Sequence, residues 1–322
     1  LTLGYTEYGG LPLLRDAVAD LYESLNGSDV NVLVPLEGIF LSMHAALAPG
    51  DHVVCMFPGY QALYEVASSI GCDIDRWVPR EESHWRFDLE DLQKLLRPDT
   101  AMVVVNVPHN PTGAVFSSED WDALLALCAD RGIRIFCDEM YRGLEHEGVA
   151  QTVSVVDRLE DAIALGGVSK SHGLPGVRIG WVASRDTAFM KRVSQLRDYT
   201  TMCNSAPSEL LALMAIRNQE VYFQRHRDRV ARHLEQFTGF IAEHAGRLEL
   251  ARPRGSTICL VRLLEDSAEE LSRRCAQEHG LMLVPSTVFD FGDHHIREGM
   301  GLRNFPECLE VFGRVLRGAR AE

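Results

Sequence analysis

Between residues 30 and 185 the chain passes repeatedly from a short apolar run to an amphipathic stretch and back. No other feature constrains the fold as strongly. The runs are VNVLVP at 30–35, VVCMF at 53–57, AMVVVNV at 101–107, IRIFCD at 133–138, AIALGGV at 162–168 and VRIGWVA at 177–183. Between them lie Ile39–Leu47, Ala62–Ile70, Leu89–Leu96 and Trp121–Ala129, with apolar residues at helical spacing. Strand, helix, strand in this rhythm predicts an α/β fold, a doubly wound, mostly parallel sheet with helices on both faces. VVVNV and IRIFC lack polar alternation, which suits central strands covered on both sides.

After about residue 186 the texture changes. Helical patterns run through 186–199 and 206–245, then come a strand-like ICLVRL at 258–263, a helix at 267–278, a short LMLVP and a last helix from about 306. The stretch FDFGDHHIREGMG at 289–301 reads as a loop. This predicts a large domain over 1–215, then a connecting helix and a smaller C-terminal α+β domain over 216–322. The opening LTLGYTEYGG has no initiating Met and is patterned like a domain interior, so an N-terminal arm is expected before it.

With 32 Lys+Arg against 46 Asp+Glu, the net charge of −14 works against nonspecific binding to nucleic acid or anionic lipid. No apolar run approaches the roughly 18 residues of a membrane helix. Eight cysteines without a CxxC pair read as free thiols in a reducing, cytoplasmic setting.

Chemistry is concentrated where strands end. Asn110-Pro111-Thr112-Gly113 follows a buried run directly, and ligands of open α/β sheets bind at the carboxyl ends of strands. Alone, it is equally an ordinary Asn-Pro turn. Asp138 ends the next run, with Tyr141 three positions on. A buried Asp there is costly without a cation beside it, although a strand-end acid can also be solvated and cap a helix. Lys170 sits past AIALGGV and before the Gly- and Pro-rich HGLPG. Desolvation there would lower the amine's pKa and make it nucleophilic; a lone loop Lys is otherwise a surface amine. Arg178, eight residues on, suits an anion clamp.

Together these pieces form a composite: NPTG, Asp138 after 28 residues, Lys170 after a further 32, then GLPGxRxGW. The chain resembles the class I/II aminotransferases, enzymes of fold type I that depend on pyridoxal 5′-phosphate (PLP). The resemblance extends through Tyr5–Arg15 (YxxxxGxxxLR), APGDHV at 48–53, PGY at 58–60 and IREGMG at 296–301. It implies that Lys170 is the Schiff-base lysine, that Asp138 pairs with the pyridine nitrogen, and that Asn110 and Tyr141 bond the ring's O3′. Tyr60 would stack on the ring. Arg178 and Ser169 would bind the phosphate, with Tyr5 reaching a neighbouring subunit's phosphate in a homodimer. Arg297 would bind the substrate α-carboxylate, with Arg303 as the alternative. The implied reaction moves an amino group from an L-amino acid to a 2-oxo acid. Within the same superfamily, elimination and capreomycidine synthase-like cyclisation remain open, and an aminotransferase-like regulatory domain is a further class.

Two positions depart from the family pattern. Gly167 stands where a small or hydroxyl-bearing residue is usual, and Val34-Pro35-Leu36-Glu37-Gly38 replaces a turn rich in Gly and Ser. Pro35 has no amide N–H to offer an anion, and Glu37 brings a negative charge unless it turns away. A nicotinamide dehydrogenase would need GxGxxG after the first strand, where VPLEGIF stands instead. His294-His295 has no third ligand at a telling distance, so no metal site is expected. His109 and His172 flank the candidate site in sequence.

Overall fold

The computed structural model describes residues 4–318. Seven strands form the larger sheet: β1 (Val30–Leu33), β2 (His52–Met56), β3 (Asp73–Trp77), β4 (Thr100–Asn106), β5 (Arg134–Asp138), β6 (Ile163–Gly167) and β7 (Gly180–Ala183). Their order is β1-β7-β6-β5-β4-β2-β3. The pairs from β3 to β6 are parallel, whereas β7 runs antiparallel to both β6 and β1. The reversal brings the start of β7 to the end where β1, β2, β4, β5 and β6 finish: Gly180 pairs with Gly167 and with Leu33.

The strands bury both faces, and successive residues alternate between two cores. On one side Val54, Val103, Val105, Ile135 and Ala164 meet α1 (Pro12–Ala19), with Trp121, Leu124 and Leu213 from helices later in the chain. On the other, Val53, Val104, Phe136, Leu165 and Val182 meet α2 (Pro35–Ala46), α3 (Ala62–Ile70), and Phe189 and Val193. Two helices lie along the sheet's middle crossovers, α4 (Leu89–Leu95) and α5 (Ser118–Asp130). Side chains that accept an otherwise unpaired first-turn N–H start several helices: Asp88 caps α4 and Ser117 caps α5. The same device opens α6 (Thr187–Arg197), where Asp186 accepts from the Phe189 N–H at 2.9 Å.

The helical pattern at 206–245 is two helices, α7 (Ala206–Arg217) and α8 (Gln219–Glu243). They separate at Asn218, whose backbone leaves the helical region and whose amide side chain bonds the Met214 carbonyl at 2.8 Å. A four-stranded sheet follows, from β8 (Leu248–Glu249), β9 (Ile258–Leu263), β10 (Val284–Pro285) and β11 (His295–Gly299), in the order β10-β11-β9-β8. Packed with it are α9 (Ala268–His279) and α10 (Phe305–Leu316), around Phe237, Val261, Leu271, Ile296 and Phe312. Residues 295–299 are therefore a strand, not loop. Their one large buried aliphatic residue, Ile296, gives too little hydrophobic repeat to announce it. Strand β3 is silent in the sequence for a related reason: it is a sheet edge, and three of the five residues of DIDRW are charged. No helix among the described residues is long and apolar enough to cross a membrane. All eight cysteines are free.

Candidate active site

The carboxyl ends of β4, β5 and β6 deliver Asn110, Asp138 and Lys170 to one crevice, and β11 of the second sheet brings Arg297 against them. Arg297 Nη1 donates to Asn110 Oδ1 at 3.2 Å. Asn110 is itself set by Asn106, the last residue of β4: the Asn110 N–H donates to Asn106 Oδ1 at 2.7 Å, and Asn106 Nδ2 donates to the Asp138 carbonyl at 2.9 Å. Asn106 thus positions Asn110, and the signal for it in the sequence is a buried Asn ending an apolar strand.

Asp138 is 5% exposed. Its Oδ1 accepts from the Met140 N–H at 3.0 Å. Burial pushes its pKa up to about 7, against the pull of the Met140 N–H and of Lys170. A carboxylate beside a cationic ring would instead be held low; within the protein alone, desolvation wins. Lys170 is exposed as a residue, yet packing around its amine lowers its pKa, helped by the positive charges of Arg297 and Arg178 and opposed by Asp138. Its Nζ stands 5.9 Å from the Tyr141 ring centroid. Tyr141 is buried, which pushes its hydroxyl up to about 12, with Arg297 acting the other way.

Arg297 is desolvated, which lowers its pKa, and its guanidinium lies 5.3 Å from the Phe289 ring centroid. No carboxylate among the described residues pairs with it. A buried guanidinium without a counter-charge matches a planar carboxylate from outside the chain. Arg303 lies on the exposed turn after β11, so Arg297 occupies the position facing Asn110.

A second group of residues comes from the ends of β1, β6 and β7. Arg178 precedes β7 in a left-handed conformation and donates from Nη1 to the Pro175 carbonyl at 2.9 Å. Ser169 is buried, and its hydroxyl has no hydrogen-bond partner among the described residues. Helix α2 starts right after β1, so the free amides of Leu36 and Glu37 in its first turn face the same end of the sheet. Glu37 does turn away. Its carboxylate accepts from the Thr200 hydroxyl, the Thr201 N–H at 3.2 Å and the Thr201 hydroxyl at 2.7 Å. Gly167 reflects crowding: a Cβ there would lie 3.1 Å from both the Gly180 Cα and the Met140 sulfur. An orphaned buried hydroxyl, a guanidinium with no carboxylate partner among the described residues and a helix start fit a phosphate. The buried acid fits a protonated ring nitrogen, and the desolvated amine fits an aldehyde, so these residues fit PLP.

Other expected participants stand apart. Tyr60 follows β2 at 41% exposure, and no ring contact ties it to the others. Tyr5 is 88% exposed and touches none of them. His172 is buried against Tyr222 and Phe223, at ring distances of 6.0 and 5.0 Å, rather than in the crevice. His109 is buried, its Nδ1 2.8 Å from the Thr112 hydroxyl. His295 lies 3.0 Å from Glu81. Among the described residues no group of three His, Cys, Asp or Glu side chains could hold a metal.

The family described as aminotransferase class I and II matches residues 2–303. Capreomycidine synthase of Streptomyces vinaceus is 30% identical over 294 residues, 88% of this chain and 74% of that protein. The aspartate/prephenate aminotransferase of Thermus thermophilus is 28% identical over 339 residues, covering 98% and 85%. The structure of a PLP-dependent aminotransferase from Streptococcus suis superposes with a TM-score of 0.92 at 29% identity, covering 100% of this chain and 86% of that one. The chain belongs to the class I and II aminotransferases, fold type I enzymes that depend on pyridoxal 5′-phosphate.

Proposed function

We propose that this chain transfers the amino group of an L-amino acid to a 2-oxo acid, with Lys170 as its catalytic amine. The observation that carries the reading is the meeting of a desolvated amine, a buried carboxyl and an unpaired guanidinium in one crevice. Bound there, PLP supplies an electrophilic aldehyde and a ring able to accept the electrons left when the substrate Cα loses its proton. Lys170 would bond covalently to that aldehyde, and its amine, when free, would take the proton from the substrate Cα. Asp138 would keep a proton on the ring nitrogen, Asn110 and Tyr141 would hold the ring's oxygen, and Tyr60, now exposed beyond the end of β2, would be the residue to cover the ring. Arg178, Ser169 and the amides of Leu36 and Glu37 hold the phosphate, and Arg297 orients the substrate through its α-carboxylate. The exposed Tyr5 supports a homodimer in which each subunit lends this residue to its partner's phosphate. The free cysteines support a reducing compartment such as the cytoplasm. A division near residue 215 is supported by the strands of the larger sheet all preceding Ser184 and those of the smaller all following Arg247.

Incubation of the holoenzyme with single amino acids and a 2-oxo acid, followed by mass spectrometry of both products, tests the reaction. A keto acid and a new amino acid in equal amounts are expected. Ammonia release without a new amino acid would replace transfer by elimination. A cyclised product would favour the second reading, cyclisation, which rests on the 30% identity with capreomycidine synthase.

A further inference from the structure

A cavity of about 450 Å³ lies outside the catalytic crevice. Three segments wall it: the 80–86 turn, the chain just past Asn110-Pro111-Thr112-Gly113, and residues 252–254 leading to β9. Its size falls within the range of small-molecule sites. The floor is apolar and mostly aromatic: Met56, Trp85, Phe87, Val115 and Phe116. The rim carries three arginines, two of them committed. Arg86 pairs with Asp120 at 3.0 Å, and Arg252 pairs with Glu235. Arg254 has no ion-pair partner among the described residues and is exposed.

The floor also holds an unanswered donor. Of the four tryptophans, Trp77 donates its indole N–H to the Asp88 carbonyl at 3.0 Å, Trp121 to Val153 at 2.9 Å and Trp181 to the Tyr22 hydroxyl at 2.7 Å. Trp85 is 2% exposed, and its indole N–H has no acceptor among the described residues. A buried donor left unpaired is costly, and native structures rarely keep one without reason. The segment that presents it is strained as well: His84 and Trp85 both have positive φ, at 57° and 62°.

We propose that this cavity is a second ligand site, for a carboxylate with a flat apolar body. Aromatic floor residues accept such a body edge-on or stacked. Of the three rim arginines Arg254 alone is uncommitted, and its guanidinium suits a single planar carboxylate whose body would lie over Trp85 and Phe87. The site shares no side chain with the Lys170 crevice, but it adjoins it. Phe87 packs edge-on against His109, the residue before Asn110, with ring centroids 4.9 Å apart. The Gly113 carbonyl accepts from the N–H groups of Arg254 and Gly255 at 2.9 and 3.0 Å. An occupant therefore bears on the segment that holds Asn110.

The test is a benzoate titration of holoenzyme labelled with 15N-tryptophan, read at the indole N–H resonances and assigned with Trp85→Phe. Benzoate is expected to move the Trp85 resonance saturably and more than those of Trp77, Trp121 and Trp181. Arg254→Ala should weaken that binding at least tenfold, and benzyl alcohol should leave the resonance in place. The shift should survive in Arg297→Ala; its loss there would put benzoate in the catalytic crevice and overturn the proposal. An unmoved Trp85 resonance, an unchanged affinity in Arg254→Ala, or an equal response to inorganic phosphate would each overturn it too.

Discussion

Replacing Asp138 by Asn removes a carboxyl that burial has raised from 3.8 to about 7. A rise of that size corresponds to about 4 kcal/mol of differential interaction between the two protonation states. Below the unfolded value, Asp138 is protonated folded and unfolded and contributes nothing to pH dependence. Between the two values the unfolded chain releases the proton while the folded one keeps it, so wild type loses about 1.4 kcal/mol per pH unit. Above about 7 the loss levels off. The variant escapes this loss, and its Asn oxygen can still accept from the Met140 N–H. Its unpaired amide N–H offsets a constant amount, about 1–3 kcal/mol. The stability difference between variant and wild type, both freed of coenzyme, should therefore grow by about 4 kcal/mol from pH 4 to pH 8. Burial also raises Glu139, Glu145 and Glu298, but these occur in both proteins and largely cancel in the difference. Urea unfolding followed by tryptophan fluorescence measures it. PLP should then stabilise wild type more than the variant. A difference that stays flat with pH would refute the account of Asp138 as a buried acid awaiting a cation.

Borohydride reduction of the holoenzyme followed by peptide mapping should tag Lys170; a tag on Lys94 or Lys191 would remove it from its role. Arg178→Ala should weaken PLP retention at least tenfold, or about 1.4 kcal/mol, and Arg178→Lys should recover only part, as read by titration of the coenzyme-free proteins. Arg297→Ala should raise KM for the amino acid by about tenfold or more, given the strength of charge-assisted bonds; initial rates over a substrate series would expose an unchanged KM. Arg197 is 1% exposed and donates to the Tyr8 and Val32 carbonyls at 2.6 and 2.7 Å and to Asn204 at 2.9 Å. Its replacement by Met should cost about 1–3 kcal/mol for each acceptor left buried and unpaired, and calorimetry showing less than about 1 kcal/mol lost in all would mean that those acceptors find other partners.

Six of the seven strands of the larger sheet and most helices are legible in the chain because burial on both faces leaves an apolar run, and α3 falls at Ala62–Ile70, where the spacing puts a helix. Lys170, Asp138 and Asn110 were legible for the same reason, each following such a run. The harder features depend on partners remote in sequence. Strand β11 has a single core aliphatic and exists through its pairing with β9, so Arg297 was recognised by family likeness without the strand that carries it. Glu37 looked like a hostile charge beside a phosphate because Thr200 and Thr201, which draw it aside, lie far along the chain. Asn106 showed no role until its bonds to Asn110 and to the Asp138 backbone were placed.

Strand β1 is an edge strand whose neighbour in the sheet is β7, and Val30 lies opposite Ala183. On a ribosome, residues 30–33 would emerge long before the strand that receives them. Helix α2, which follows β1 and packs between Leu33, Leu165 and Val182, has no finished seat until then. Closing so long a loop is slow compared with local pairing. Both the helix start and Arg178, the groups proposed to hold the phosphate, thus wait on the same late event. A nascent chain halted before Gly180 can already pair β4 with β5 yet lacks the means to retain coenzyme, so coenzyme capture during synthesis reports that the sheet has closed on its first strand.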